Sequence, residues 1–107
     1  MNYQIAFTQR AELQLDNTKA WWSQNRSAEQ ATRWYTEISE AIFSLQRNPQ
    51  RCPLAAEDNL FPYELRELHF GLGSRPTHRA VFTIRPDVVL VLAIRHVAQD
   101  MITRDDL

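Results

Sequence analysis

Hydrophobic positions near the start of the chain change from alternation to helical spacing. Tyr3, Ile5 and Phe7 alternate with polar or small residues, which predicts a short opening strand. Thr8 is a residue type that caps helices, and apolar positions after it recur at spacings of four and seven. We therefore expect a first helix that begins after Thr8 and ends near Asn25.

The strongest helical pattern of the chain follows Ser27. Ser27 and Gln30, three residues later, match a capping box. Apolar residues then recur at steps of 3, 1, 3, 3, 1 and 3, at these positions: Ala31, Trp34, Tyr35, Ile38, Ala41, Ile42 and Leu45. We expect this second helix to run from about Ala28 to Arg47. Asn48 and Pro49 should end it, because proline disfavours the helical region for the residue before it and cannot continue the hydrogen-bond ladder.

The second half of the chain has the composition of strands. Residues 49–63 hold three of the five prolines and show no periodicity, which predicts a surface connection. Strands are then expected at Leu65–Phe70, Val81–Ile84 and Val88–Ile94, with a turn at Arg85–Asp87. Because Val88–Ile94 is apolar without alternation, we expect it to be covered on both faces or to lie centrally in the sheet.

The order of these elements predicts the fold class. Strand, helix, helix and three strands joined by short turns favour an α+β fold, in which two N-terminal helices pack on one face of a four-stranded, mainly antiparallel twisted sheet. A chain of 107 residues is the usual size of one domain. We therefore expect a single domain over residues 1–107.

Composition excludes several classes of protein. The longest apolar run, Val88–Ile94, is far shorter than the ~20 residues of a membrane span, and Met1–Gln4 does not begin a signal peptide, so we expect a cytoplasmic protein with no membrane partner. Cys52 is the single cysteine, which rules out an internal disulfide. The sequence has no glycine-rich phosphate loop and no metal-ligand spacing among its three histidines, so we expect no cofactor and no metal.

Charge is unevenly distributed along a chain whose net charge is -1. Residues 66–96 carry five arginines against Glu67 and Asp87, a balance of +3, and also contain all three histidines. These side chains are either solvent-facing residues of a half-exposed sheet or a basic concave face that holds phosphate. Alternation along a strand places His78 and Arg79 on opposite faces, so that only one of them can face a given groove.

Aromatic residues cluster on the two predicted helices. Trp21, Trp22, Trp34 and Tyr35 could form a platform for stacking nucleic-acid bases. Aromatic residues at helical spacing more often pack against a sheet. We therefore expect these four side chains to belong to the core.

Several segments together resemble the RelE/ParE superfamily of bacterial toxins, also called plasmid stabilisation proteins. They are Tyr63–Leu68, His78–Ile84, and Val88–Ile94 followed by Arg95 and His96. The order of the elements matches as well, so the resemblance covers nearly the whole chain. It implies the toxin of a toxin-antitoxin pair, which a cognate antitoxin holds inactive in a hetero-oligomer.

Two activities occur in this superfamily, and the resemblance implies candidate site residues. One branch inhibits DNA gyrase, and the other cleaves mRNA on the ribosome. In the nuclease branch the resemblance implies catalytic roles for Arg79 in the third-strand motif, Arg66 on the preceding strand and His96 near the end of the last strand. If Arg79 is instead structural, an exposed ion pair with Glu67 is expected, and its loss would cost no more than ~1 kcal/mol.

Two departures favour the gyrase branch. Nuclease members are strongly basic and carry an aromatic residue beyond the last strand, whereas this chain has net charge -1 and no Phe, Tyr or Trp after Phe82. We therefore expect ParE-like inhibition of gyrase. The alternatives are a RelE-like ribosome-dependent mRNA endoribonuclease and a degenerate, non-toxic antitoxin-binding module.

The expected mode of antitoxin binding follows from an open sheet. An open sheet leaves unpaired backbone groups at its edges, which a strand-forming peptide can satisfy. We expect the antitoxin to bind as an extended tail that covers the helical layer and a sheet edge. The basic segment 66–96 is expected to attract an acidic tail.

Overall fold

The elements follow one another in the predicted order. The structure is a computed structural model that describes residues 2–98. Its helices and strands, in chain order, are β1 (Gln4–Phe7), α1 (Gln9–Asn25), α2 (Ala28–Phe43), β2 (Arg66–Phe70), β3 (His78–Ile84) and β4 (Val88–His96). Neither of these helices combines the length and the apolar character needed to cross a bilayer, a statement limited to residues 2–98.

The four strands form one mixed sheet in the order β1-β4-β3-β2. β1 pairs with β4 in parallel, and the other two pairs are antiparallel. Both helices contribute to the core on one face, so the predicted α+β class is confirmed. β4 lies between β1 and β3, which confirms the central position expected from its unbroken apolar run.

Side-chain caps begin both helices as predicted. The Thr8 hydroxyl accepts a hydrogen bond from the Ala11 amide at 3.1 Å, and the Ser27 hydroxyl accepts one from the Gln30 amide at 3.0 Å. α2 ends earlier than expected, at Phe43, and a 3-10 turn over Ser44–Gln46 follows it. This tighter turn still buries Leu45, which explains why the apolar spacing continues beyond the end of the α-helix.

The main core lies between the helices and the sheet. Trp34, Ile38 and Ile42 of α2 are fully buried, and they belong to one cluster with Phe82 of β3 and Val91 of β4. Burial of these large apolar side chains is the main stabilising contribution expected in a domain of this size. The 3.6-residue pattern of α2 therefore corresponds to the surface that it buries.

β3 and β4 are longer than the sequence indicated. Their backbone pairing extends to His78 opposite His96. These end residues are not apolar, so the apolar pattern alone does not show where the strands end. Val81 lies opposite Ala93, whereas the next residue, Phe82, lies opposite Val91, so Leu92 is an extra residue in a β-bulge. The bulge places Leu92 and Ala93 together in a second apolar cluster, which accounts for the missing alternation in β4.

The connection between α2 and β2 covers the face of the sheet that carries no helix, which we call the helix-free face. Ala55 and Leu65 are buried against Val81 of β3 and Leu92 of β4. The Ala55 amide donates to the Leu65 carbonyl at 2.8 Å, so this segment also closes on itself. Most of residues 49–63 lie at the surface as predicted, but the connection also contributes buried residues, because the central strands need cover on both faces.

The expected burial of the four helical aromatic residues is confirmed only in part. Trp34 is fully buried, and Trp22 and Tyr35 are partly buried against the same core, whereas Trp21 is 49% exposed. Trp21 lies beyond the part of α1 that contacts the sheet closely, since the buried residues of α1 are Ala11 and Leu15. Helical spacing alone does not distinguish an aromatic residue that is buried from one that is exposed.

Truncation of Trp34 tests this account of the core. We expect Trp34→Ala to lower the free energy of unfolding by about 3–5 kcal/mol, because it removes a fully buried ring. The matched control, Trp21→Ala, should lower it by about 1 kcal/mol or less. Urea unfolding followed by circular dichroism measures both values, and equal losses would contradict the assigned packing.

Candidate functional site

Arg79 lies at the centre of a buried ion-pair cluster on the helix-free face. Its side chain is 8% exposed, and its Nη1 and Nη2 atoms donate to the two Glu57 carboxylate oxygens at 2.8 and 2.5 Å. Nη1 also lies 3.3 Å from Glu67 Oε1. The hydrogen bond to Glu57 raises the pKa of Arg79 in spite of its burial, so the guanidinium stays charged.

Glu67 extends this cluster to the surface. Its carboxylate accepts a hydrogen bond from the Ala56 amide at 3.2 Å and also contacts Nε2 of the half-exposed His69. The sheet register places His69 opposite Arg79, so both side chains lie on the helix-free face. We call Arg79, Glu57, Glu67 and His69 the Arg79 cluster. It joins β2, β3 and the connection that covers them.

The charge of the Arg79 cluster differs from the sequence-based expectation. The Arg79 guanidinium contacts two carboxylates, and one of them, Glu57, is fully buried. A phosphate at Arg79 would meet these carboxylates as well as the cation. Arg79 is therefore neither solvent-facing nor free of anionic partners, because the connection after α2 supplies the buried Glu57 carboxylate.

Arg66 has a different role, on the opposite face of β2. Its Nη1 donates to the carbonyl oxygens of Gln50 at 3.1 Å and Cys52 at 2.5 Å, and its Nε donates to Glu64 at 2.7 Å. These bonds attach the first residues of the connection between α2 and β2 to strand β2. Burial raises the pKa of the Cys52 thiol, against the opposing charges of Arg51 and Arg66, so the thiol stays protonated.

His96 lies at the far end of β4 beside His78. The two rings meet edge to face with their centroids 5.2 Å apart, and Trp34 makes a similar contact with His78 at 5.2 Å. The Ala98 amide donates to Nδ1 of His96 at 3.1 Å. Burial, assisted by the charge of His96, lowers the pKa of His78 from 6.5 to about 4, so His78 is neutral at neutral pH.

Comparison with known proteins identifies the family. The chain matches the family described as the ParE toxin of the type II toxin-antitoxin system, parDE, over residues 5–101. It belongs to the ParE toxin family. This confirms the resemblance that the strand motifs indicated, and with it the assignment to toxins of type II toxin-antitoxin systems.

A solved structure shares the fold of this ParE-family chain. It is described as the chromosomal ParDE TA system from P. aeruginosa, and it matches with a TM-score of 0.70 at 20% identity. The match covers 89% of this chain and 96% of that chain. No match was found among curated proteins.

The three site residues implied by the resemblance are not brought together in this ParE-family chain. Arg79 faces the helix-free side, whereas Arg66 and His96 lie on the helix side, opposite Phe82 and His78 respectively. Those two positions are four residues apart on β3, about 13 Å along the strand. Catalytic roles for Arg79, Arg66 and His96 remain a prediction.

Sequence reasoning missed Glu57 entirely. Its position in an aperiodic connection carries no signal for burial or for pairing with a residue 22 positions away. The sequence predicts Glu67 only as an exposed partner of Arg79. Among residues 2–98, the structure groups no three His, Cys, Asp or Glu side chains in a way that could hold a metal ion.

Removal of Arg79 should destabilise the fold far more than an exposed ion pair would allow. We expect Arg79→Ala to lower the free energy of unfolding by about 3–5 kcal/mol, because it leaves the Glu57 carboxylate buried without its partner. Arg33→Ala, which breaks an exposed pair with Glu37, should cost about 0.5 kcal/mol or less. Denaturant unfolding measures both.

A second variant separates the buried charge from lost packing. Adding Glu57→Gln to Arg79→Ala should recover part of the loss, because no charged carboxylate then remains buried. A loss below about 1 kcal/mol for Arg79→Ala would instead favour the exposed pair first expected from the sequence.

The shifted pKa of His78 predicts a loss of stability in acid. Its folded pKa of about 4 lies below the ordinary 6.5, so between these values the unfolded chain binds a proton that the folded chain excludes. The contribution is fully present above pH 6.5 and is lost as the pH falls toward 4. We expect about 2 kcal/mol less stability at pH 5 than at pH 7.

His78→Gln is the control for this pH dependence. Glutamine does not titrate, so the variant should lack the part of the pH dependence that His78 supplies, while His69 and His96 are retained in both proteins. Urea unfolding at half-unit pH steps gives the comparison. Identical pH profiles for the two proteins would show that His78 is not the group responsible.

Proposed function

We propose that this chain is the toxin of a type II pair that inhibits DNA gyrase and is neutralised by a cognate antitoxin. The match to the ParE toxin family over residues 5–101 is the observation that carries this proposal. The solved ParDE system from P. aeruginosa, which has the same fold, supports an antitoxin as partner. Gyrase is the target that the ParE branch of the superfamily implies.

The arrangement of charged residues supports gyrase inhibition over mRNA cleavage. A nuclease of this size needs a base, an acid and a cation around one phosphate. In this chain Arg79 is paired with two buried or nearly buried carboxylates, and Arg66 and His96 lie on the other face. The net charge of -1 also gives little affinity for ribosomal RNA through counterion release.

Expression without a partner distinguishes the possible activities. We expect slow growth with induction of a DNA-damage reporter, and inhibition of plasmid supercoiling by purified gyrase, with little change in pulse-labelled protein synthesis. Coexpression of the product of the neighbouring reading frame is the control, and it should restore growth. Rapid loss of protein synthesis with cleaved transcripts would establish the nuclease alternative, and normal growth would favour the degenerate module.

The surface supports antitoxin binding over the helical layer and the edge strand β1. Leu13 and Phe43 are about half exposed on the two helices, and a cavity of about 230 Å³ between the helices is lined in part by Leu15, Tyr35 and Phe43. The other edge strand, β2, is occupied within the strand, because the Glu67 amide donates to the Pro53 carbonyl at 3.1 Å. At the β1 edge the Tyr3 amide donates to the Gln46 carbonyl at 2.9 Å, but Tyr3 lies before the strand begins. We therefore place the added strand of the antitoxin at β1.

Electrostatic attraction contributes less to this binding than the sequence indicated. Arg66 and Arg79 are paired with carboxylates, so two of the five arginines of residues 66–96 are offset locally. Apolar contact with the helices and backbone pairing at β1 are the main contributions in this proposal.

Hydrogen exchange with and without the product of the neighbouring reading frame tests this binding mode. We expect new protection at β1 and along the exposed faces of α1 and α2. Phe43→Ala should weaken binding about tenfold by removing an apolar contact. Leu60→Ala, an equally exposed residue on the helix-free connection, is the matched control and should leave the affinity unchanged. Protection confined to β2 would contradict the proposal.

A further inference from the structure

A cavity of about 480 Å³ lies where the C-terminal end of α1 approaches the paired ends of β3 and β4. Its helix wall includes Thr18, Trp21, Trp22 and Arg26, and its strand wall includes His78 and His96. A volume of this size is typical of sites that enclose small molecules. The cavity lies on the helix side of the sheet, away from the Arg79 cluster.

Four flat rings line this cavity. Trp21 and Trp22 meet edge to face with centroids 5.7 Å apart, and His78 and His96 do so at 5.2 Å. Trp21 is 49% exposed, which is an unusual degree of exposure for so large a ring. Because His78 is neutral at neutral pH, it adds a ring without adding charge. Aromatic walls of this kind favour a planar, largely apolar ligand.

An unpaired donor accompanies these rings. Nε1 of Trp22 is buried and has no hydrogen-bond partner among residues 2–98, and the same holds for Nε1 of Trp34, which packs against His78. An indole N–H can only donate, so its partner must be an acceptor. Buried donors in folded proteins are nearly always paired. The N–H of Trp22 is closed to solvent in this structure, so a ligand acceptor reaches it only after a small shift of the ring.

The charge around the cavity favours an anion. Among the described residues that line the cavity, Arg26 is the one with a permanent charge, and none is acidic. The negative end of α1 is partly neutralised, because the Trp21 carbonyl accepts from Asn25 Nδ2 and the Trp22 carbonyl accepts from the Arg26 amide, each at 2.9 Å. The guanidinium of Arg26 is therefore the dominant charge available to a ligand.

We propose that this cavity binds a small planar aromatic anion, with its ring between the indole and imidazole rings, its anionic group at Arg26 and an acceptor atom at Trp22 Nε1. Aryl carboxylates and nucleoside monophosphates share this chemistry. The site does not depend on gyrase inhibition, and its lining does not include the edge strand β1. It gives the chain a ligand-binding function besides that of a toxin.

A series of probes that differ in charge tests the proposal. The probes are 2-naphthoate, neutral 2-naphthylmethanol, cationic 2-naphthylmethylamine and adenosine 5′-monophosphate, each titrated into the intact chain and followed by ¹H–¹⁵N NMR. We expect naphthoate to shift the Trp22 indole N–H signal and to bind about fivefold more tightly than the alcohol. The amine should bind more weakly than the alcohol. The tighter of naphthoate and the monophosphate identifies the class of anion.

Variants assign the charge preference to Arg26. Arg26→Gln should reduce the affinity for naphthoate to that for the alcohol and leave the affinity for the alcohol unchanged. Arg10→Gln, an exposed arginine about 24 Å away at the other end of α1, is the matched control and should change neither value. Trp21→Ala should weaken all naphthyl probes.

Three results would overturn the proposal. They are the absence of saturable shifts for either anion at millimolar concentration, an amine that binds as tightly as naphthoate, and shifts confined to the groove between α1 and α2. An unchanged naphthoate affinity in Arg26→Gln would likewise show that Arg26 does not hold the anion. None of these measurements depends on toxicity, so they remain informative if gyrase inhibition is disproved.

Discussion

The ion pair between Arg79 and Glu57 holds the segment after α2 against the helix-free face of the sheet. β3 and β4 are apolar on both faces, yet the two helices cover only one face. The connection therefore has to supply the second cover, and it brings the fully buried carboxylate of Glu57 with it. A carboxylate in that position requires a paired cation, which Arg79 provides through two hydrogen bonds.

This arrangement constrains where the chain can bind other molecules. The cation expected to mark an active face is already neutralised within the fold, together with Glu67. Surfaces that remain for partners lie elsewhere: the exposed apolar side chains of α1 and α2, the edge of β1, and the aromatic cavity beside His78 and His96. The proposed action on a protein target needs such surfaces more than it needs an assembled catalytic group.

The same alternation that separates Arg79 from Arg66 and His96 also gives His78 and Arg79 different surroundings. His78 and Arg79 are neighbours in the chain but point to opposite faces, so one lines the aromatic cavity and the other holds the connection. A substitution at Arg79 will therefore affect the attachment of the connection, whereas one at His78 will affect the aromatic cavity and the packing against Trp34.

Local patterns determined the elements and their order. The spacing in α2, the caps at Thr8 and Ser27, and the apolar run of β4 predicted the α+β fold and the central strand, because each signal depends on residues close together in the chain. The family followed from motifs along the same strands. Only the tertiary structure decided that Glu57 is buried, that Trp21 is exposed, and which face each arginine occupies. Alternation along a strand gives the relative orientation of neighbouring side chains. The segments that cover each face of the sheet are distant in sequence, and their contacts leave no periodic pattern in the strand itself.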